Sequence, residues 1–253
     1  MAGVTQTTLA AAPLGGRSVA VAVYGRGIGE RMAAALAARG AQVALLVDPP
    51  SAASVDGVTV QAADFSCAAA MRLAFESIAA RQGPIQLIVH AAVPDASLIS
   101  SALAEQSDEQ WQAACAAALD ASFHCLQGLH ASLAATAGLL VQIGPSLAQC
   151  GANGLVALSV ASEGQRGLLK SVARQWGREG IRAVWIAVAA GELSAIMANA
   201  DLPLRSEAIA LPLGRVPCLD GDVADMITAL SGPAGRSSTG LSLWMDGGEW
   251  MLP

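Results

Sequence analysis

An α/β chain built on a parallel, doubly wound sheet is predicted by three observations in this 253-residue sequence. Its apolar, β-branched segments are short and continuous rather than alternating, as strands buried on both faces are. Segments of helical length separate them one by one, the order that produces parallel crossovers. Aromatic residues make up only 4% against 54% apolar residues, so small aliphatics must fill the core, which suits helix-on-sheet packing.

The elements follow in that order. Ser18–Val23 reads as the first strand and Gly29–Arg39 as the helix that covers it. Gln42–Val47 and Val58–Ala62 read as the next two strands, followed by a helix from Ala68 to Arg81. Ile85–His90 is a strand, Asp108–Ala135 a long helix, Leu139–Ile143 a strand and Gly154–Gly177 a second long helix. Ile181–Val188 and Leu241–Met245 close the series. No linker rich in Pro, Gly or Ser divides the chain. The prediction is therefore a single Rossmann-type domain over residues 15–253, with helices on both faces of the sheet and an extension at 1–14.

Charge and composition narrow the function. With 13% charged residues and a net charge of −6, the chain lacks the basic footprint of a nucleic-acid binder. The stretch between Asp120 and Glu163 has no acidic or basic residue other than its histidines, but Pro145, Asn153 and the glycines at 138, 144, 151 and 154 interrupt it, so no membrane span is expected. Cys67, Cys115, Cys125, Cys150 and Cys218 are odd in number and form no C-x-x-C pair, which points to reduced thiols in a cytoplasm. The first 13 residues have neither a basic nor an apolar leader region, so no signal peptide is expected. Nothing suggests a metal site.

Candidate cofactor residues cluster near the first strand. Val23-Tyr24-Gly25-Arg26-Gly27-Ile28-Gly29 stands where a strand gives way to a helix, the place of a dinucleotide-binding loop. Two registers are open. Matched without a gap on Gly27-Ile28-Gly29, the turn that needs a glycine falls on Val23, whose branched Cβ would block it. Alternatively Gly25 is the first glycine and the loop is two residues short. In either register Tyr24 would bring a ring near the phosphate path. Asp48, 19 residues after Gly29, could hold a ribose. Asp64 could contact adenine or merely cap a helix. His90 ends its strand as either a backbone anchor or a core histidine.

Taken together, these motifs resemble the short-chain dehydrogenase/reductase family across residues 15–250. The C-terminal Pro212-Leu213-Gly214-Arg215, Asp222-Val223-Ala224, Thr239-Gly240 and Asp246-Gly247-Gly248 strengthen the likeness, while the family's Pro-Gly turn either becomes Ala190-Gly191 or is lost. The resemblance implies a tetrad of Asn, Ser, Tyr and Lys. Trp111, supported by Leu119 and Phe123, places the Asn position at Ala118. Pro145 falls at the Ser position, with Ser146 beside it, and Leu158 and Ser162 fall at the Tyr and Lys positions. The chain has one tyrosine, Tyr24, and one lysine, Lys170, so no such pair stands four apart anywhere. Leu158 cannot exchange a proton with an alcohol oxygen, and Ser162 has no charge with which to tune a neighbour. Glu163 points about 100° away on a helix. Only His124 and His130 are ionisable stand-ins within 121–162.

The expectation that follows is a non-catalytic subunit. No cofactor is expected in this chain, where Gly25, Gly27, Gly29, Asp48 and Asp64 are remnants. NAD is expected in a catalytic homologue in a heterotetramer, with a β-hydroxyacyl-CoA as the expected substrate. Two helical stripes carry the expected contact. One runs Trp111, Cys115, Ala118, Ser122, Leu126, Leu129 and Leu133, and the other Leu158, Ala161, Gln165, Leu168, Val172 and Trp176. Trp111, Leu119, Leu126, Leu168, Val172 and Trp176 are the candidate interface residues, since family members pair these helices into a four-helix bundle. A ligand-sensing scaffold, or an enzyme with another proton carrier, are the alternatives.

Overall fold

The computed structural model describes residues 14–25, 27–49, 53–194, 197 and 211–250. Seven strands form one parallel sheet in the order β3-β2-β1-β4-β5-β6-β7. They are β1 (Ser18–Tyr24), β2 (Gln42–Val47), β3 (Thr59–Ala62), β4 (Leu87–Ala92), β5 (Leu139–Pro145), β6 (Arg182–Val188) and β7 (Ser242–Met245). The order reverses between β1 and β4, which makes the crevice at their carboxyl ends the natural ligand position.

Alternate residues of the strands feed two cores. Val19, Val21 and Val23 of β1 pack with Ile28, Met32 and Leu36 of α1 (Ile28–Ala38). Ala20 and Ala22 face Met71 and Phe75 of α2 (Ala68–Gln82), and Leu126 and Leu129 further along the chain. That is the doubly wound arrangement the continuous apolar strands predicted.

The long helix after β4 is not uniform. It opens as α3 (Asp108–Trp111), capped by Ser107, whose hydroxyl accepts the Gln110 amide while the Gln110 side chain returns to the Ser107 amide. A π-helical turn at Gln112–Ala116 follows, then α4 (Ala117–Ala134). Helix α5 (Val156–Trp176) lies beside α4, and Ala114, Cys115, Ala118, Ala157 and Ala161 make a small-residue core between them. Helix α6 (Ala190–Leu193) follows β6, and α7 (Ala224–Ser231) packs Ile227 and Leu230 on the α1 side.

Strand β5 runs two residues beyond the predicted end. It pairs with β4 only through Gln142 and with β6 as far as Pro145. A proline is tolerated there because the missing N–H falls where one side has no neighbour. At the far edge the Thr239 hydroxyl accepts the Ala183 amide, and the Asp246 carboxylate accepts the Gly248 and Trp250 amides.

Candidate functional site

The strand-to-helix turn chooses between the two registers. Val23 lies inside β1, paired with Val47 on one side and Ala91 on the other, so it is not the turn residue. The turn belongs to Gly25, at φ 112°. A Cβ on Gly25 would stand 2.1 Å from the Val93 carbonyl oxygen, so only glycine fits. The expected steric block by Val23 is therefore corrected: the loop is short, with its first glycine intact. Gly29 packs close to Val23 and Leu45, the usual helix-on-strand contact. The expectation for Tyr24 is corrected as well. Its ring lies against Phe65 on the sheet face opposite α1, with centroids 5.8 Å apart, and so leaves the phosphate path.

Gly27, also in the left-handed region at φ 104°, meets something else. The position a Cβ would take is 3.1 Å from the Leu193 carbonyl oxygen, at the end of α6. The middle glycine of such a loop is there so that a pyrophosphate can approach the backbone. Here a carbonyl, itself the negative end of a dipole, holds that direction. The Leu193 carbonyl thus borders one side of Gly27, which is otherwise exposed.

The acidic residues stand nearby. Burial raises the carboxyl of Asp48, and the charge of Asp64 adds to the rise. Burial also raises the Tyr24 phenol, with Asp48 contributing. Asp64 is committed locally: one carboxylate oxygen accepts both the Ser66 hydroxyl at 2.6 Å and the Ser66 amide at 2.9 Å. Those bonds hold it below the usual carboxylate range. It shapes the turn before α2 rather than capping the helix itself.

At the four positions where the resemblance puts a tetrad, the structure places apolar or uncharged groups. Leu158 is 2% exposed, in the core shared with Leu98, Leu147, Leu155 and Leu193. Ala118 lies in the small-residue core between α4 and α5. Pro145 ends β5, and Ser162 is buried one turn beyond Leu158. Ser146 is fully buried and its hydroxyl has no hydrogen-bond partner. Glu163 is bound to Arg166 on its own helix. His124 contacts the Phe65 carbonyl, and His130 pairs with Glu179 and lies tilted against Trp176, with ring centroids 4.7 Å apart. Neither histidine belongs to the tetrad corner.

What sequence reasoning missed is a buried polar chain lower in the fold. His90 Nδ1 is 2.9 Å from the Ala22 carbonyl, an acceptor, so that nitrogen carries the proton. Nε2 then accepts from the Ser122 hydroxyl at 3.0 Å. Gln142 Nε2 donates to Ser122 Oγ and to Gln165 Oε1, both at 3.4 Å. Gln165 Nε2 donates to the carbonyls of Ala92 at 2.9 Å and Ala118 at 3.4 Å. Burial pushes His90 down to about 4, so it is neutral. Polar residues set inside apolar strands and stripes were the available signal.

The comparisons decide the family. A family model described as enoyl-(acyl carrier protein) reductase matches residues 22–249. The chain belongs to the short-chain dehydrogenase/reductase family. This short-chain dehydrogenase/reductase is 27% identical over 256 aligned positions to 2,3-dihydroxy-2,3-dihydro-p-cumate dehydrogenase of Pseudomonas putida, covering 96% of this chain and 97% of that one. Its fold is similar to 3-ketoacyl-(acyl-carrier-protein) reductase from Brucella melitensis, solved with NADH. That match has a TM-score of 0.80 at 20% identity, over 94% of this chain and 100% of the other. A Serratia marcescens short-chain dehydrogenase/reductase double mutant matches with a TM-score of 0.71 at 24% identity, over 94% and 99%. Among the described residues of this family member no helix is long and apolar enough to cross a membrane, and no cluster could hold a metal ion.

The interface expectation needs revision. Leu126 is 4% exposed and Val172 is buried, both in the core under α4 and α5. Leu168 packs partly on that core, and Trp176 on His130. Leu119 packs against the α4–α5 core, beside Gly164. These residues hold α4 and α5 to their own sheet and to each other. The apolar groups that the same region turns outward are Trp111, Phe123 and Val160.

Proposed function

We propose that this short-chain dehydrogenase/reductase is a non-catalytic subunit. It binds no cofactor itself, and it assembles with a catalytic NAD-dependent homologue in a heterotetramer. The observation that carries the reading is Leu158. A hydrocarbon side chain in the core stands where hydride exchange between an alcohol and a ketone requires a proton carrier. Ser162, one turn on, has no charge to supply. The partner's substrate is, on this reading, a β-hydroxyacyl-CoA. The chain is similar to the inactive subunit of the two-component 2-(hydroxy(phenyl)methyl)succinyl-CoA dehydrogenase of anaerobic toluene degradation, which makes that thioester the first to try.

Assembly would run through α4 and α5. Phe123 is 46% and Val160 43% exposed. Asp120 is the one Asp, Glu, Lys or Arg of α4, and the charged residues of α5, Glu163, Arg166, Lys170 and Arg174, all follow Val160. An obligate interface of this type buries roughly 2,000 Å² or more. The test is co-expression with a catalytic homologue, purification through a tag on one chain, and the mass of the complex by light scattering. Phe123→Glu and Val160→Glu should leave the fold intact and dissociate the complex. Leu126→Glu should instead unfold the chain, because it buries a charge in the chain's own core at a cost of several kcal/mol. A wild type that stays monomeric beside every competent homologue, or a complex unaffected by Phe123→Glu and Val160→Glu, contradicts the assembly.

A further inference from the structure

The glycines of the nucleotide loop survive, so no side chain at Gly25, Gly27 or Gly29 stands in the way of a phosphate. A different feature of the fold bears on that path. The corner after β6 puts the Leu193 carbonyl on Gly27, and three elements hold that corner down. Arg31 of α1 donates to the Glu192 carboxylate at 2.7 Å and to the Glu192 carbonyl at 3.2 Å. The same guanidinium reaches Asp220 at 3.0 Å. The Glu192 carboxylate also accepts the Leu219 amide at 2.9 Å. One carboxylate thus ties α1, α6 and the turn before α7 together, and its ion pair with Arg31 joins residues 161 apart along the chain.

We infer that residues 190–193 are a built-in stop for the nucleotide cradle, latched by Arg31, Glu192 and Leu219, and that this latch keeps phosphates from the α1 N-terminus. Gly27 is otherwise exposed to solvent, so the stop acts in one direction only. That direction is the one a Cβ would take, and therefore the one a pyrophosphate uses. The amide dipoles at the start of α1 are intact and no side chain caps them. Such a terminus attracts an anion when one can reach it. Glu192 and Asp220 share the single Arg31 guanidinium, and Glu30 adds a third carboxylate in the first turn of α1. The inference extends the non-catalytic reading and fails separately from it: an open cradle would leave Leu158 and Ser162 as unable to move a proton as before.

ADP is the probe, because it carries the pyrophosphate and adenosine without the hydride chemistry. Calorimetry on the full wild-type chain should show no saturable binding up to millimolar ADP. Glu192→Ala, which removes the carboxylate that Arg31 and the Leu219 amide share and leaves Arg31 only Asp220 and a backbone carbonyl, should bind ADP at least tenfold more tightly and melt at a lower temperature. Arg31→Met releases the same latch from the other side and should behave alike. Hydrogen exchange of the wild-type segment 28–36 should be unchanged by ADP. Micromolar binding or ADP-dependent protection in the wild type overturns the inference. So do folded Glu192→Ala and Arg31→Met variants that remain as indifferent to ADP as the wild type. Turnover assays of the assembled complex are unaffected by either result, so the subunit reading is judged independently.

Discussion

Two levels of helix α5 make an instructive contrast. At the upper level Leu158 and Ser162 occupy the corner where family members carry out proton transfer, and neither they nor Ala118 and Pro145 carry a charge. Two turns below Leu158, Gln165 joins a chain of hydrogen bonds that crosses from α5 to β5, α4, β4 and β1. The corner that would meet a substrate is apolar, while the closed interior is polar. A buried amide or imidazole network rigidifies a core only when its members are satisfied, and it does no chemistry without a route to substrate. Each member of this network has at least one partner, with Gln142 Oε1 left unpaired, and the polar groups maintain a scaffold.

The largest effect that would sharpen this contrast is acid destabilisation through His90. Its folded value is near 4 against 6.5 in the unfolded chain. Between those values the unfolded state binds more protons, so stability is full above pH 6.5 and falls as the pH drops towards 4. The loss should be about 3 kcal/mol. Denaturant titrations at a series of pH values would measure it, and His90→Gln should lose most of that slope. A stability curve with the same slope in both proteins would show that His90 is not held neutral by the fold.

A somewhat smaller cost is expected for Gln165→Leu. The volume is nearly kept, but the carbonyls of Ala92 and Ala118 lose their donor and Gln142 loses an acceptor. About 2 kcal/mol should disappear from the urea-unfolding free energy. A loss near zero would mean that the lower level is no more organised than the upper one.

The smallest effect should be on turnover. Leu158→Tyr combined with Ser162→Lys restores a proton carrier and a charge at the upper level. Ala118, Pro145 and the Leu193 stop remain, and catalytic groups act as a unit. No NADH formation from any alcohol should be detected in a spectrophotometric assay. Clear turnover would break the contrast, since the corner would then need only two side chains to work.

The sequence was informative about order and poor about approach. Continuous apolar strands and alternating helices announced the parallel sheet, and Trp111 with Leu119 fixed the helical register that put Ala118 at a tetrad position. The glycine loop was ambiguous because Gly25-x-Gly27-x-Gly29 fits two alignments. Only the pairing of Val23 with Val47 and Ala91 excludes it from the turn. The Leu193 carbonyl on Gly27 joins residues 166 positions apart and has no local signature. Stripe periodicity placed Leu126 and Val172 on faces correctly but could not say which of two partners, sheet or subunit, each face met. The segment 224–231 carried a helix that the motif reading passed over, because Asp222-Val223-Ala224 was read for resemblance rather than periodicity.

The central claim is that this chain contributes assembly and no chemistry. The direct measurement is NADH production by the complex when the catalytic partner's own tyrosine is replaced by phenylalanine and this chain is wild type. The account predicts no turnover above background, with the complex still intact by light scattering and wild-type activity restored by the unaltered partner. Residual, substrate-saturable NADH formation by the complex with the altered partner would contradict it, because the only remaining site for proton exchange would be in this chain.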